Sequence, residues 1–447
     1  MVEIVSSGRA AGPRRRAAMA AADSPAPTVP EPVVSARSWR LLAFLTGINV
    51  LNFVDRILIT ALAPLLIADL GLSRAQIGLL AGFGFVVFYS VVGLFLGVAA
   101  DRWRRMPLVA AGLALWSAMT ALSGLARSFA GLALPRIFVG VGEGTLAPAA
   151  LSMLGDVFPR RRLATATGIY YAGIPLGSAA GLIASSWIAP RYGWRACFFV
   201  LGALGLVAAA AMLAMREPAR HASPAGERPS LGRLARDLAR LLAARRDLVL
   251  MLAGGALLVY GAAAAMHAVT WLVEDRGFVY AEAAFAAGVM AVLSGIAGNL
   301  AGGAFGDWCA RRRRDGHLFS LIPMTIVFTP IGFVFYTLEP GTPWFYLAWF
   351  VTAAGTTAWF GPLFAAIQET APAHARASTM AFALLAINLL GVGPGPLVTG
   401  MIGDSRNLTV GLMTSLGVVA LAIVPLALAL RLRARAASRD VAAAGVS

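Results

Sequence analysis

Long apolar runs broken by short polar interruptions fill the chain from Trp39 to about Leu430. Crossing a bilayer takes roughly 20 apolar residues in a helix, and the runs reach that length. They are long and often unbroken, which predicts helices rather than barrel strands, the one other backbone arrangement that satisfies itself in lipid. Twelve spans are expected, at about 39–66, 75–100, 107–126, 130–156, 164–189, 194–214, 247–272, 282–308, 318–338, 344–369, 377–401 and 409–430. Gly and Pro inside several of them are tolerated because neighbouring helices re-satisfy the backbone. Two stretches are polar. Residues 1–38 read as a disordered tail, and 216–246 as a linker between two six-helix halves, 39–215 and 247–431, with a short tail at 432–447.

The linker's second part, Leu231 to Arg246, reads as a basic amphipathic helix with Leu234, Leu238, Leu241 and Leu242 on one face. That pattern suits a solvated or headgroup-facing segment. The halves also echo each other. Gly97 to Asp101 ends the second span and Gly303 to Asp307 the eighth, while Gly173-Ile-Pro-Leu-Gly177 in the fifth is matched by Gly391 to Pro396 in the eleventh. A six-span offset implies an internal duplication.

Composition agrees with lipid as the solvent. Of 447 residues 59% are hydrophobic and 13% charged, with a mean hydropathy of +0.76. Soluble domains carry about 25% charged residues. The net charge of +16 is made entirely with Arg, since no Lys occurs. No base-stacking module accompanies it, so nucleic acid is excluded as a partner. Twenty-nine arginines lie in the tails and one alternate set of loops, and six in the other set. The positive-inside rule then puts both termini and the linker in the cytoplasm and favours an even span count. Cys197 and Cys309 show no metal or disulfide spacing, so neither metal nor cofactor is expected, and with no continuous apolar run before about Trp39 a cleaved signal peptide is not expected either. Arg/Ala-rich usage without Lys points to a GC-rich bacterial genome and an inner membrane.

Charges inside a bilayer cost at least about 2.5–3.5 kcal/mol each, so they mark function by default. Asp55 and Arg56 lie in the first span; Arg136 and Glu143 lie in the fourth, two turns apart on one face with Gly140. Gly140, Gly142 and Gly144 thin that helix and admit a neighbour or a ligand. Adjacent on a helix, Asp55 and Arg56 point about 100° apart. Stability alone is a poor reason to bury four charges, so Glu143 or Asp55 is expected to carry a coupling proton and an Arg to hold an anionic group. The second half offers only His267, Asn299 and Asn388 at depth, the amides facing the bundle interior. Trp344, Phe345, Tyr346, Trp349 and Phe350 are expected to form an interfacial belt, with Trp359 and Phe360 lining the cavity. A cavity polar on one side and apolar on the other suits an amphiphile; a small organic anion fits nearly as well.

At these residues the chain resembles the major facilitator superfamily across essentially all twelve spans. Gly97-Val-Ala-Ala-Asp101-Arg102-Trp-Arg-Arg105 is similar to its loop signature G-x-x-x-D-R-x-x-R, Arg136 to Gly142 to R-x-x-x-G-x-G, and Gly173 to Gly177 to its fifth-span glycine-proline signature. Within it, Asn52-Phe-Val-Asp55-Arg56, Trp116-Ser117, Gly140 to Gly144, Ala147-Pro148 and Gly173 to Ser178 are similar to motifs of spinster-like transporters. The resemblance implies an all-α fold of two pseudo-symmetric six-helix halves. It also implies proton-linked movement of a lysolipid or sphingoid-phosphate-like amphiphile by alternating access. Glu143 and Asp55 would couple the proton, Arg56, Arg136, Asn52, His267 and Trp359 would contact substrate, and Asp101, Arg102, Arg105 and Asp307 would gate. Gly144 for Ala, and Thr270-Trp271-Leu272 for W-x-P, depart from that group. The organic anion:cation symporters share D-R in span one and G-x-G-E in span four and are the alternative, with a sensor that moves no solute more distant. Phe305-Gly306-Asp307 has no acidic partner at depth, so an intramembrane protease is not expected. The protein is expected to be a monomer.

Overall fold

A computed structural model describes residues 34–89, 103–218, 231–372 and 376–444. Eleven helices among them are long and apolar enough to cross a membrane, and Arg74–Tyr89 forms a shorter apolar helix at the position of the second span. Asp101 and Arg102 lie outside the described residues.

Several spans are broken by their own sequence. The fourth runs as Phe129–Glu143 and Leu146–Val157, parting at Gly144 and Thr145. The fifth parts at Ala172, before Gly173 and Pro175. The seventh tightens to a 3-10 turn over Ala265–His267, and the eleventh widens to a π turn over Asn388–Val392, just before Pro394 and Pro396. Pro removes a donor and clashes with the preceding turn, which explains breaks beside it.

The duplication read in the sequence has a packing basis. A Cβ on Gly177 would run into the Val50 carbonyl of the first span, and one on Gly395 would lie 2.5 Å from the Tyr260 carbonyl of the seventh. The same glycine position therefore lets span 5 press on span 1 and span 11 on span 7.

Three apolar cores result. One is shared by both halves and lies away from the termini, joining Leu58, Leu62 and Leu66 of the first half to Val269, Trp271, Leu272 and Tyr280 of the second. The other two lie toward the termini and are largely one per half, around Leu41, Trp116 and Met153 and around Leu248, Leu321 and Leu426. The halves thus meet on the far side. On the terminus side Leu146–Val157 and Arg160–Tyr171 pack on each other and on their own half. The described linker helix, Leu231–Ala244, packs on spans 7 and 11.

The far-side seam is sealed by polar contacts. Asp404, ending span 11, accepts from the backbone N–H groups of Arg74 and Ala75 at 2.8 and 2.9 Å, capping the first turn of span 2. The Arg74 guanidinium donates to Glu274 of span 7 at 2.7 Å. Just inside, the Pro396 carbonyl occupies the space that a Cβ on Gly78 would need. Gly78→Val is therefore expected to hold the far side open, lengthening the distance between spin labels on the outer ends of spans 2 and 11. An unchanged distance would show that the seam does not depend on this contact.

The belt expected around Trp344 is only partly a belt. Trp344 and Tyr346 are exposed, but Phe345 and Trp349 are buried in an aromatic cluster with Trp271, Phe335 and Tyr336. Side chains on one helix face alternate between lipid and core within a single turn, which the run of aromatics concealed.

Candidate functional site

Spans 1 and 4 bring all four intramembrane charges together, paired across the helices. Arg136 donates to Asp55 at 3.0 Å, and its second amino group reaches the backbone carbonyl of Arg56 at 3.1 Å. Thr120 of span 3 donates to the other Asp55 oxygen at 2.6 Å. Arg56 turns the other way, as the 100° offset requires, and its Nε donates to Glu143 Oε2 at 2.7 Å. Asp55, Arg136 and Glu143 are buried, whereas the Arg56 side chain keeps 24% exposure.

The two pairs differ in what they leave unsatisfied. Both Asp55 oxygens are engaged, which ties spans 1, 3 and 4 together, and on that pair the unpartnered atom is Arg136 Nε. The second carboxylate oxygen of Glu143 is buried with no partner, as are the Asn52 amide nitrogen and the Tyr170 hydroxyl. A buried polar atom without a partner costs about 1–3 kcal/mol, and such atoms cluster where a ligand or proton is handled. Gly140 and Gly142, expected to admit a neighbour or a ligand, admit neighbours: a Cβ on Gly142 would lie 2.6 Å from the Gly112 carbonyl, and one on Gly140 3.3 Å from the Phe85 carbonyl.

An aromatic cage, unread in the sequence, holds Arg56. Its guanidinium lies 4.3 Å from the Tyr89 ring centroid and 4.8 Å from those of Phe53 and Phe85. Phe85 also lies under Arg136 at 4.9 Å. Desolvated cation–π contacts contribute about 2 kcal/mol or more. The i, i+4 spacing of Phe85 and Tyr89 marks one face of span 2 and was the available signal; Thr120, one turn from Trp116, was likewise legible as a polar point on a packing face.

The second half supplies an apolar wall. Val259, Met266, Phe360, Phe364, Leu384 and Val392 line an open cavity of about 210 Å³ between spans 7, 10 and 11, with Asn388 its polar point. Val392 also packs on the first half's core, and a Cβ on Gly82 of span 2 would lie 2.9 Å from its carbonyl, so this wall abuts the helix that carries Phe85. Trp359 stands behind it: buried, it stacks on Phe360 at 4.0 Å and faces a separate pocket with Met324 and Phe328 of span 9. His267 is buried beside span 11, its Nε2 2.8 Å from the Pro396 carbonyl, and is not part of the four-charge cluster. Asn299 is exposed and donates back to the Gly295 carbonyl at 2.9 Å.

Of the residues expected to gate, Arg105 is buried and binds Asp156, Ser152 and the Pro218 carbonyl, while its backbone N–H donates to Glu217 at 2.8 Å. It ties spans 3 and 4 to the start of the linker. Its counterpart is His317 at the start of span 9, whose ring nitrogens reach Asp307 at 3.2 Å and Glu369 at 2.7 Å. Among the described contacts, both clips lie within one half.

Two helical halves joined on one side, with paired charges inside membrane-crossing helices, fit a membrane transporter. Residues 45–396 match the model of the Major Facilitator Superfamily, and the chain belongs to that family. It is 30% identical over 374 residues to an MFS-type efflux pump of Mycolicibacterium smegmatis, covering 83% of this chain and 85% of that protein. It is 26% identical to the spinster protein of Drosophila melanogaster over 62% of this chain and 47% of that one. To the hexuronate transporter of Bacillus subtilis it is 32% identical over 37% of this chain and 39% of that protein. Its fold is similar to that of a bacterial homolog of the human lysosomal transporter spinster, crystallised inward-facing and unoccupied, with a TM-score of 0.79, 23% identity, and 89% and 98% of the two chains covered.

Proposed function

We propose that this integral membrane transporter moves a proton together with an anionic amphiphile of the lysolipid or sphingoid-phosphate kind, using Arg56 as headgroup site and Glu143 as proton site. The observation that carries this reading is the half-open Arg56–Glu143 pair: one guanidinium edge engaged, one carboxylate oxygen buried and unpartnered. An anionic headgroup docking on Arg56 competes with Glu143 for it. A buried carboxylate stripped of its partner costs several kcal/mol unless it is neutralised, so a proton enters with the anion and leaves with it. Asp55, locked to Arg136 and Thr120, is in this reading a structural member rather than a second proton carrier.

The apolar wall from Met266 to Val392 supports an apolar tail opposite the charged head. With both termini and the linker cytoplasmic, the far-side seam is the outer gate and the cavity opens to the cytoplasm; rocking the halves about it gives alternating access. The hexuronate transporter relation favours a second reading, a sugar acid held by the same Arg56. Proteoliposome uptake under an imposed pH gradient, with lysophospholipid and hexuronate compared, separates the two. Arg56→Ala is expected to abolish transport of whichever substrate is moved while the protein still inserts and folds, because Arg56 is the partly exposed member of the cluster. Transport at wild-type rate by Arg56→Ala would overturn the assignment.

A further inference from the structure

A second charged cleft lies at the terminus-side end of the second half, remote from the Arg56 site. Arg245, Arg246, Asp247, Arg314, Asp315 and Arg433 line it, with the last turns of span 12 as an apolar floor, and it is an open cleft of about 490 Å³. Four guanidinium groups face two carboxylates. Both carboxylates are committed: Arg245 grips Asp247 through two bonds of 2.9 and 2.8 Å, and Arg433 donates to Asp315 at 2.6 Å while lying 3.6 Å from Asp247. Thr370 anchors two of these arginines, accepting from Arg433 through its hydroxyl and from Arg245 through its carbonyl. The lattice of ion pairs holds the cleft open and leaves Arg246 and Arg314 exposed, with no ion pair among the described residues.

The neighbouring arginines show that this is not simply a run of charge. Arg312 lies over the Trp308 ring at 4.0 Å and Arg313 over Phe319 at 4.1 Å, so both are folded onto aromatic faces. Arg314 instead lines the cleft. Depth matters as well. Trp308 is 45% exposed on a lipid-crossing helix, where an indole marks the membrane interface. The helix continues four residues to Arg312, about 6 Å at 1.5 Å per residue. Each headgroup layer is about 5–7 Å thick outside the hydrocarbon, so the cleft sits at the level of lipid phosphates.

We propose that this cleft binds a phosphate-bearing anion, held between Arg246 and Arg314, and that its resident source is an anionic phospholipid such as phosphatidylglycerol. The phosphate neutralises the excess positive charge, and the Leu432, Ala436 and Ala437 side of span 12 takes the glycerol backbone. Arginine forks suit this ligand because two parallel N–H groups match two phosphate oxygens.

The test uses the full chain in detergent micelles, titrated with dioleoyl phosphatidylglycerol, dioleoyl phosphatidylcholine or inorganic phosphate, with bound lipid read by native mass spectrometry. Each basic residue near a headgroup contributes such that losing two, in Arg246→Gln/Arg314→Gln, is expected to weaken phosphatidylglycerol binding about thirtyfold. Arg246→Lys/Arg314→Lys is expected to retain most of it. Running the series in an Arg56→Ala background removes binding at the central site, and unfolding temperature without lipid checks that the Gln variant is intact. Thermal protection by inorganic phosphate, lost in the Gln variant while phosphatidylglycerol gives none, would support the anion site and identify a soluble phosphate as its source. Equal phosphatidylglycerol binding by the wild type and an intact Gln variant, or phosphatidylcholine binding as tightly, would overturn the proposal.

Discussion

Glu143→Gln is expected to abolish gradient-driven accumulation while leaving substrate binding and exchange intact. Gln keeps the shape of the carboxyl but can neither take nor give a proton, so Arg56 is permanently free for the anion. A pH difference of one unit supplies about 1.4 kcal/mol per proton, enough for tenfold accumulation if one proton moves with each substrate. In proteoliposomes the wild type should therefore approach a tenfold gradient and the variant only equilibrate. The sign of the pH dependence follows from the same competition. Wild-type binding requires a proton on Glu143 as the anion arrives, so affinity falls as pH rises, whereas Glu143→Gln binds with a flat profile. Accumulation by the variant matching the wild type would place the coupling proton elsewhere and remove the central step of the mechanism.

The other large effect is on stability. Asp55→Ala leaves Arg136 buried without its carboxylate, and breaking one side of a buried pair costs about 3–5 kcal/mol. That is a large part of the roughly 5–15 kcal/mol that holds a domain together, so the variant is expected to unfold many degrees lower in detergent and to express poorly. Removing both partners together, in Asp55→Ala/Arg136→Leu, restores most of the loss because no orphaned charge remains. The cycle also separates structure from coupling. Stability rescued together with proton-driven transport confirms Asp55 as a strut; stability rescued without transport would make Asp55 a participant in proton movement. Thr120→Val, which removes one hydrogen bond to Asp55, should cost less, about 1–3 kcal/mol.

Much of this protein was legible before any tertiary contact. Eleven of the expected span positions, the helical class, the repeat of six spans and the identity of the four intramembrane charges all follow from local sums: apolar length, arginine counts per loop, and charges standing in lipid. Each depends on the solvent around a segment and not on which segment lies beside it. The glycine motifs of spans 5 and 11 were visible in the same way, as paired patterns at a fixed offset.

Only the tertiary structure decided who pairs with whom. Asp55 and Arg56 are neighbours in sequence but sit in separate pairs, because adjacent helical side chains diverge and span 4 offers Arg136 on one side and Glu143 on the other. The cage of Phe85 and Tyr89 comes from span 2, whose rotation no spacing within span 1 can reveal. Trp359 stands behind Phe360, His267 against the Pro396 carbonyl, and Asp404 on the first turn of span 2, for the same reason. A sequence records distance along the chain and the preference of each residue for lipid or water. Pairing depends on distance through space, set by how the helices are turned about their axes, and that is a property of their packing together.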